Sequence, residues 1–354
     1  MRSFTFLTVL ALIPLIYSCA SAPKTVMRED PLIGKIMDTS TGKPVLFATL
    51  MDQIARHEVV YLSEKHDNPM HHAIQHRIIQ DLVDSGRSPV IGFEFFSMEQ
   101  TPLLLNLMDS IKAGHTPEME AAVETRMRER LGWEDQSDEM WAYYWDLLIL
   151  ARDNGLTAAG LDLSSTQKRR ITRKGLDKIT PIEKRQIFST DLSDPVYERY
   201  MKEIFTAVHC GMDHGRMTSR LYDTWKARND KMALSITQLH DSLAKGASPA
   251  APPGPIVVIM GNGHTEYGLG VVDRVNHLNP GISQLNLAIT EISREPSGPD
   301  AYMEQLDLDG YAPAPPADYL WFTQRVSYED PCERFKASLD RMKQKSKADL
   351  KKEE

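Results

Sequence analysis

The stretch Val59-Val60-Tyr61-Leu62-Ser63-Glu64-Lys65-His66-Asp67-Asn68-Pro69 decides the fold. Its first four residues are an apolar, partly β-branched run of strand length. Asn68 and Pro69 then supply a helix N-cap and a first-turn proline, because proline lacks an N–H that the first helical turn would leave unpaired anyway. Ile74, Ile78, Ile79, Leu82 and Val83 follow at helical spacing, and Gly86 closes the helix. Pro89-Val90-Ile91-Gly92-Phe93-Glu94 reads as the next strand, which places Glu94 at a strand's C-terminal end. Strand, helix and strand of these lengths form a right-handed parallel crossover.

Working outward, a helical stretch runs to about Asn154 and includes the aromatic-rich Trp141, Tyr143, Tyr144 and Trp145, whose close spacing predicts core plus rim. Gly155 ends it, and Leu156 to Leu163 is a third strand. Residues 165–250 are helical and charge-rich, with helices expected at 194–208 and 217–244, and read as a helical subdomain inserted over one end of the sheet. Ile256-Val257-Val258-Ile259-Met260 is a continuous apolar strand of the kind buried inside a parallel sheet. Further strands near 284–290 and 319–323 complete the picture. The predicted class is α/β: a mostly parallel sheet flanked by helices, spanning 46–335. A tether and lead-in at 19–45 precedes it, and a lysine-rich tail at 336–354 follows. No internal repeat is present.

The chain of 354 residues, 42% apolar and 25% charged, is long enough for one large α/β domain. Its formal charge of −8 argues against a nucleic-acid partner, which needs a basic surface. Residues 1–18 have the layout of a secretory signal, with an apolar run from Phe4 to Ile16 too short for a stable membrane span. Ser18-Cys19, with Ile16 three positions before the cysteine, resembles a bacterial lipobox. The expectation is an acylated Cys19 as mature N-terminus, holding the protein to the membrane of the cell envelope, on the outer membrane facing the periplasm. Setting Cys19 aside leaves Cys210 and Cys332 in an oxidising compartment, where a pair is readily joined. Two free thiols are the alternative, because spacing alone does not bring the Cα atoms within the required range of roughly 4.4–6.8 Å.

Three apolar strands run directly into ionisable residues: Leu62 into Ser63-Glu64-Lys65-His66, Phe93 into Glu94, and Met260 into Gly261-Asn262-Gly263-His264. Parallel sheets bind ligands outside the carboxyl ends of their strands. Two carboxylates and two imidazoles delivered there, Glu64, Glu94, His66 and His264, form either a metal site or an acid/base cluster.

At these residues the chain resembles the ChaN-like haem-binding uptake lipoproteins, within the superfamily that also holds the TraB/TIKI and erythromycin-esterase groups. Glu64-Lys65-His66-Asp67-Asn68-Pro69, with His71-His72 and Gln75, is similar to the family's opening motif; Gly92-Phe93-Glu94 to the second; Arg228-Asn229-Asp230-Lys231-Met232-Ala233 to the helical one. Gly261-Asn262-Gly263-His264-Thr265-Glu266-Tyr267-Gly268-Leu269-Gly270 is similar to the last. Ser63 stands where relatives usually have glycine.

The resemblance implies a haem-binding lipoprotein of iron acquisition, and leaves a homodimer open. Haem needs an apolar slot, an axial ligand and partners for its propionates. Tyr267 is the preferred axial ligand, a phenolate suiting ferric iron, with His66, His264, Lys65 and His209 as further cofactor-binding candidates. The alternative is a metal-dependent hydrolase. There Glu64, His66, Glu94 and His264 would hold a divalent metal or activate water, and Arg228 would steady an anionic transition state. A binding or scaffold lipoprotein with a buried polar network is the third possibility. His72 and His76, four apart, are ordinary helix residues before they are metal ligands, and His209 and His214 bracket a turn that can face the site.

Overall fold

The structure is a computed structural model, and it describes residues 28–109, 116–190, 194–212, 215–246, 254–333 and 336. The expected signal peptide, Cys19, His214 and almost all of the lysine-rich tail lie outside the described residues. Among the described residues the sheet has eight strands in the order β2-β1-β8-β7-β3-β6-β4-β5. The strands are β1 (Ile36–Asp38), β2 (Lys43–Val45), β3 (Val59–Glu64), β4 (Val90–Ser97), β5 (Thr157–Asp162), β6 (Ile256–Gly261), β7 (Gln284–Glu291) and β8 (Tyr319–Thr323). From β8 to β5 every pairing is parallel; β1 pairs antiparallel with both β8 and β2. The predicted class, α/β with a mostly parallel sheet, is the observed one.

Two boundaries differ from expectation. The lead-in expected at 19–45 belongs to the domain from residue 28 onward, because β1 and β2 extend the sheet beyond β8 and Leu32, Ile36 and Met37 are buried. Three-residue strands in a polar segment leave no hydrophobic periodicity to read. The insertion expected at 165–250 is only partly one. Helices α6 (Ser165–Lys174), α7 (Pro181–Ile187) and α8 (Pro195–Val208) are the cover, but α9 (Arg216–Gly246) continues into the sandwich itself. Its Met232, Ala233 and Ile236 pack on Tyr61, Val258 and Met260 beside α10 (Val271–Leu278).

The opposite face is covered by α1 (Phe47–Ile54), α2 (Pro69–Asp84), α3 (Thr101–Asp109), α4 (Pro117–Leu131) and α5 (Asp138–Asp153). Strand alternation decides which face each residue serves. Val60, Leu62, Ile91 and Phe93 pack under α2 and α5, while Val59, Tyr61 and Val90 pack under α9. Carried one step further, this rule sends Glu64 to the α2/α5 side and Glu94 to the α9 side. The N-cap is the one expected: Asn68 accepts from the Met70 N–H, and Pro69 opens α2.

Cys210 and Cys332 are joined, with Cα atoms 5.6 Å apart. The bond ties the turn after α8 to the segment beyond β8. Cys210 holds a left-handed backbone, φ 61°, the conformation that lets the chain reverse there.

Candidate active site at the strand ends

Glu64, the last residue of β3, is buried and serves as the hub of the α2/α5 side. It accepts from Gln75 Nε2 at 2.7 Å and from the Tyr144 hydroxyl, and its oxygens lie 3.0 Å from His66 Nδ1 and 3.3 Å from His72 Nδ1. His72 Nε2 in turn meets the His66 carbonyl at 2.9 Å, and its ring stacks on Tyr143. Tyr144 stays a phenol, because burial and then Glu64 push its pKa far above the usual value. His66 is different in one respect: its side chain is 40% exposed. The Phe95 ring meets it edge-on, with centroids 4.6 Å apart. Burial opposes the charged form of His66, but the Glu64 hydrogen bond, then Glu94, outweigh it and raise the imidazole pKa.

The α9 side is built around Glu94. β4 does not end there but runs to Ser97, with a register irregularity between Phe93 and Ser97 that interrupts strict alternation. Glu94 accepts from Arg228 at 2.6 Å and from the Gly261 N–H at 2.6 Å, and lies 3.2 Å from His264 Nε2. Burial pushes its carboxyl up, yet His264 and Arg228 hold it well below the carboxylate range. His264 Nδ1 meets Asn229 Oδ1, and the ring stacks on Trp225 with centroids 4.0 Å apart. Burial lowers the His264 pKa and favours the neutral ring. Arg228 bonds Asp162 at 2.9 Å as well as Glu94, so the cation expected to meet a ligand is already committed to two carboxylates.

The two sides meet at Gly261. β6 lies between β3 and β4, Glu64 is in register with Gly261, and Glu94 takes the Gly261 N–H. Glu64, His66, Glu94, Arg228 and His264 are thus gathered at one strand end.

The remaining candidates stand apart from that centre. Lys65 pairs with Asp67 at 2.8 Å and Glu291 at 3.3 Å, so it is not a free cation for a ligand carboxylate. His209 is exposed at the end of α8, its Nδ1 turned back to the Phe205 carbonyl at 2.6 Å. Tyr267 is half-buried with a left-handed backbone, φ 60°, and packs among Tyr197, Tyr200, Trp225 and Leu269. It also borders a separate cavity of about 230 Å³ shared with Asn262, Thr290 and Tyr302. Burial, then Glu266 and Glu304, raise its phenol pKa. His76 is exposed while His72 is buried, so the helix pair does not act together. Trp141, Tyr144 and Trp145 are core and Tyr143 is rim, the division that their spacing predicts.

The metal reading needs correction. Among the described residues no group of three or more His, Cys, Asp or Glu side chains can hold a metal ion. Glu64 and Glu94 face opposite layers, and each is saturated by its own donors.

Sequence reading missed Asp162, Tyr144 and the role of Asn229. Asp162 ends β5 and accepts from Lys168 at 2.7 Å and from Arg228. Its signal was available: Gly160-Leu161-Asp162 is an apolar strand running into a carboxylate, the pattern that singled out Glu64 and Glu94. Tyr144 carried none, since a tyrosine on an aromatic helix face reads as core.

A model of the family described as "Haem-binding uptake, Tiki superfamily, ChaN" matches residues 50–275. The chain belongs to that family. Among solved structures it resembles ChaN of Campylobacter jejuni, with a TM-score of 0.57 at 14% identity over 81% of this chain and 95% of that one. Heme binding to that ChaN is cofacial. A type III effector (TM-score 0.40, 12% identity, 78% of this chain and 92% of that one) and an erythromycin esterase in its open conformation (0.39, 12%, 74% and 77%) are more distant matches. No curated protein sequence matches the chain. The ChaN resemblance read from Glu64-Lys65-His66 and the motifs after it is therefore the family found.

Proposed function

We propose that this ChaN-family protein binds haem as cargo at the strand-end site and that His66, rather than Tyr267, is the axial ligand. One observation carries the choice. His66 is the member of the Glu64–Glu94 constellation whose side chain is 40% exposed, and its Nδ1 is held by the buried Glu64 carboxylate. A carboxylate behind an imidazole fixes the tautomer, leaves Nε2 as the lone-pair nitrogen and raises its basicity. Phe95 beside it and Tyr143 stacked on His72 offer aromatic contact to a macrocycle. Tyr267 is less suited, because it packs among Tyr197, Tyr200, Trp225 and Leu269, apart from the Glu64–Glu94 constellation. Ligation by His66 is an expectation of this chain's residues; the family supplies the cargo.

The protein is proposed to work in the cell envelope, anchored through lipidated Cys19. The test is absorption spectroscopy of purified protein titrated with hemin, for the wild type and for His66→Ala and Tyr267→Phe. A Soret shift abolished by His66→Ala and kept by Tyr267→Phe supports the proposal. The reverse pattern returns Tyr267 to the role, and no spectral change in the wild type refutes haem binding.

A second reading, a hydrolase of the same superfamily, rests on the same Glu64–His66 pair, which is built like a general base and its orienting carboxylate. A metal-dependent version has no support among the described residues. Ester hydrolysis lost on His66→Ala, in protein free of haem, would favour it.

A further inference from the structure

His71 lies five residues beyond His66 and is fully buried, and its hydrogen bonds lead away from Glu64 and Glu94. Its ring nitrogens are both engaged: Nδ1 accepts from the Lys65 N–H at 2.9 Å, and Nε2 meets Thr323 Oγ1 at 2.9 Å. A nitrogen that accepts carries no proton, so the ring proton is on Nε2 and is donated to Thr323. Thr323 Oγ1 passes the polarity on to the Thr290 carbonyl at 3.4 Å. A directional chain therefore runs from the turn after β3 through α2 to the ends of β8 and β7. Asn68 braces the same turn, its Nδ2 bonding Glu291 Oε1 at 3.0 Å and the Gln324 carbonyl at 2.9 Å.

We propose that His71 is a positioning residue of the strand-end site: its imidazole clamps the Lys65 amide to Thr323 and so fixes the turn that presents His66. The inference rests on the reading of His66 as the ligand-facing residue. Physically, Lys65 is the single residue between the Glu64 hub and His66. If its backbone rotates, the His66 ring leaves both Glu64 and Phe95 even though β3 stays in place. Glu64 holds one end of the imidazole, while the ring as a whole stays partly open to solvent. The backbone clamp compensates for that openness. Burial, then the neighbouring His72 and Lys65, push the His71 pKa down to about 3, so the acceptor nitrogen stays available across the physiological range.

The test uses the full chain and three variants. His71→Leu removes both bonds; His71→Asn places an amide oxygen where Nδ1 stands and keeps the acceptor for Lys65; Thr323→Val removes the other end. Two readouts need no haem: hydrogen-exchange protection of the Lys65 amide, and nuclear Overhauser contact between the His66 and Phe95 rings. The third is hemin affinity. The expected result is that His71→Leu loses protection and ring contact and binds hemin about 10–100-fold more weakly, the usual effect of removing an outer-shell partner. His71→Asn and Thr323→Val each keep the acceptor for Lys65 and lose the bond to Thr323, so both fall between the wild type and His71→Leu in all three readouts.

Loss of Lys65 protection with the His66–Phe95 contact intact overturns the proposal. So does failure of the asparagine variant to restore part of the contact, which would make His71 a packing residue only. If His71→Leu does not fold, the other two variants decide against the wild type: both must lose part of the His66–Phe95 contact, and wild-type contact in either overturns the proposal. If the wild type takes up no hemin while the leucine and asparagine variants still differ in ring contact, haem binding fails and the clamp stands.

Discussion

His66 lies so close to Gly261 that a Cβ on the glycine would stand 2.7 Å from the imidazole Cε1 and 3.6 Å from Oε2 of Glu94. The absent side chain is what lets the α2/α5 and α9 sides of the sheet share one end. Its φ of −68° is one that any residue adopts, so the requirement is for space and not for backbone freedom. Gly261→Ala should push the His66 ring outward, weaken hemin binding, and cost about 1–3 kcal/mol of stability from overpacking. Thermal melts and a hemin titration read both effects. An alanine variant with wild-type affinity would show that His66 does not work from this position.

Arg228 stands between Glu94 and Asp162, whose side chains are 3% and 0% exposed. Arg228→Met leaves two buried carboxylates without their shared cation, a loss of about 3–5 kcal/mol, toward the lower end because the guanidinium is itself 21% exposed. The sign of the pH dependence follows from Glu94, whose folded pKa lies well below 4.5. Such a group contributes stability that is present above its unfolded pKa and lost as pH falls through the folded value. The gap in melting temperature between wild type and Arg228→Met should therefore be widest above about pH 5 and shrink in acid. A gap that does not change with pH would remove Glu94 as its cause.

The Cys210–Cys332 bond spans 122 residues of sequence. By the chain-entropy account, closing a loop of that length contributes about 4–5 kcal/mol, so Cys210→Ala with Cys332→Ala should melt far below the wild type. Mass spectrometry of a non-reduced digest checks the bond itself, and finding both thiols free to alkylation in the native protein would refute it.

Lipid anchoring predicts that Cys19→Ala moves the protein out of the membrane fraction into the soluble one. Unchanged fractionation of the variant would sink the anchor.

Period-2 burial, the Asn68-Pro69 helix start and the continuous apolar run of β6 are local signals, so the parallel sheet and the ends of β3 and β6 were legible in the sequence. The same signals marked Glu64, His66 and His264, where an apolar strand gives way to ionisable residues at its end, and they marked Glu94 although β4 runs on to Ser97. What each side chain meets there was not legible. Glu64 finds Tyr144 from a helix 80 positions away and Arg228 bridges Glu94 to Asp162, partners set by which layer each strand residue faces. Alternation along each strand assigns the layer, but the side chains that wait in that layer come from helices far along the chain, which no short window contains. The edge strands β1 and β2 escaped for a related reason: three residues carry too little periodicity, and only their pairing with β8 makes them strands. Tertiary packing alone left Tyr267 and Lys65 with other partners and kept the His66 ring open, because exposure is a property of what the rest of the chain covers.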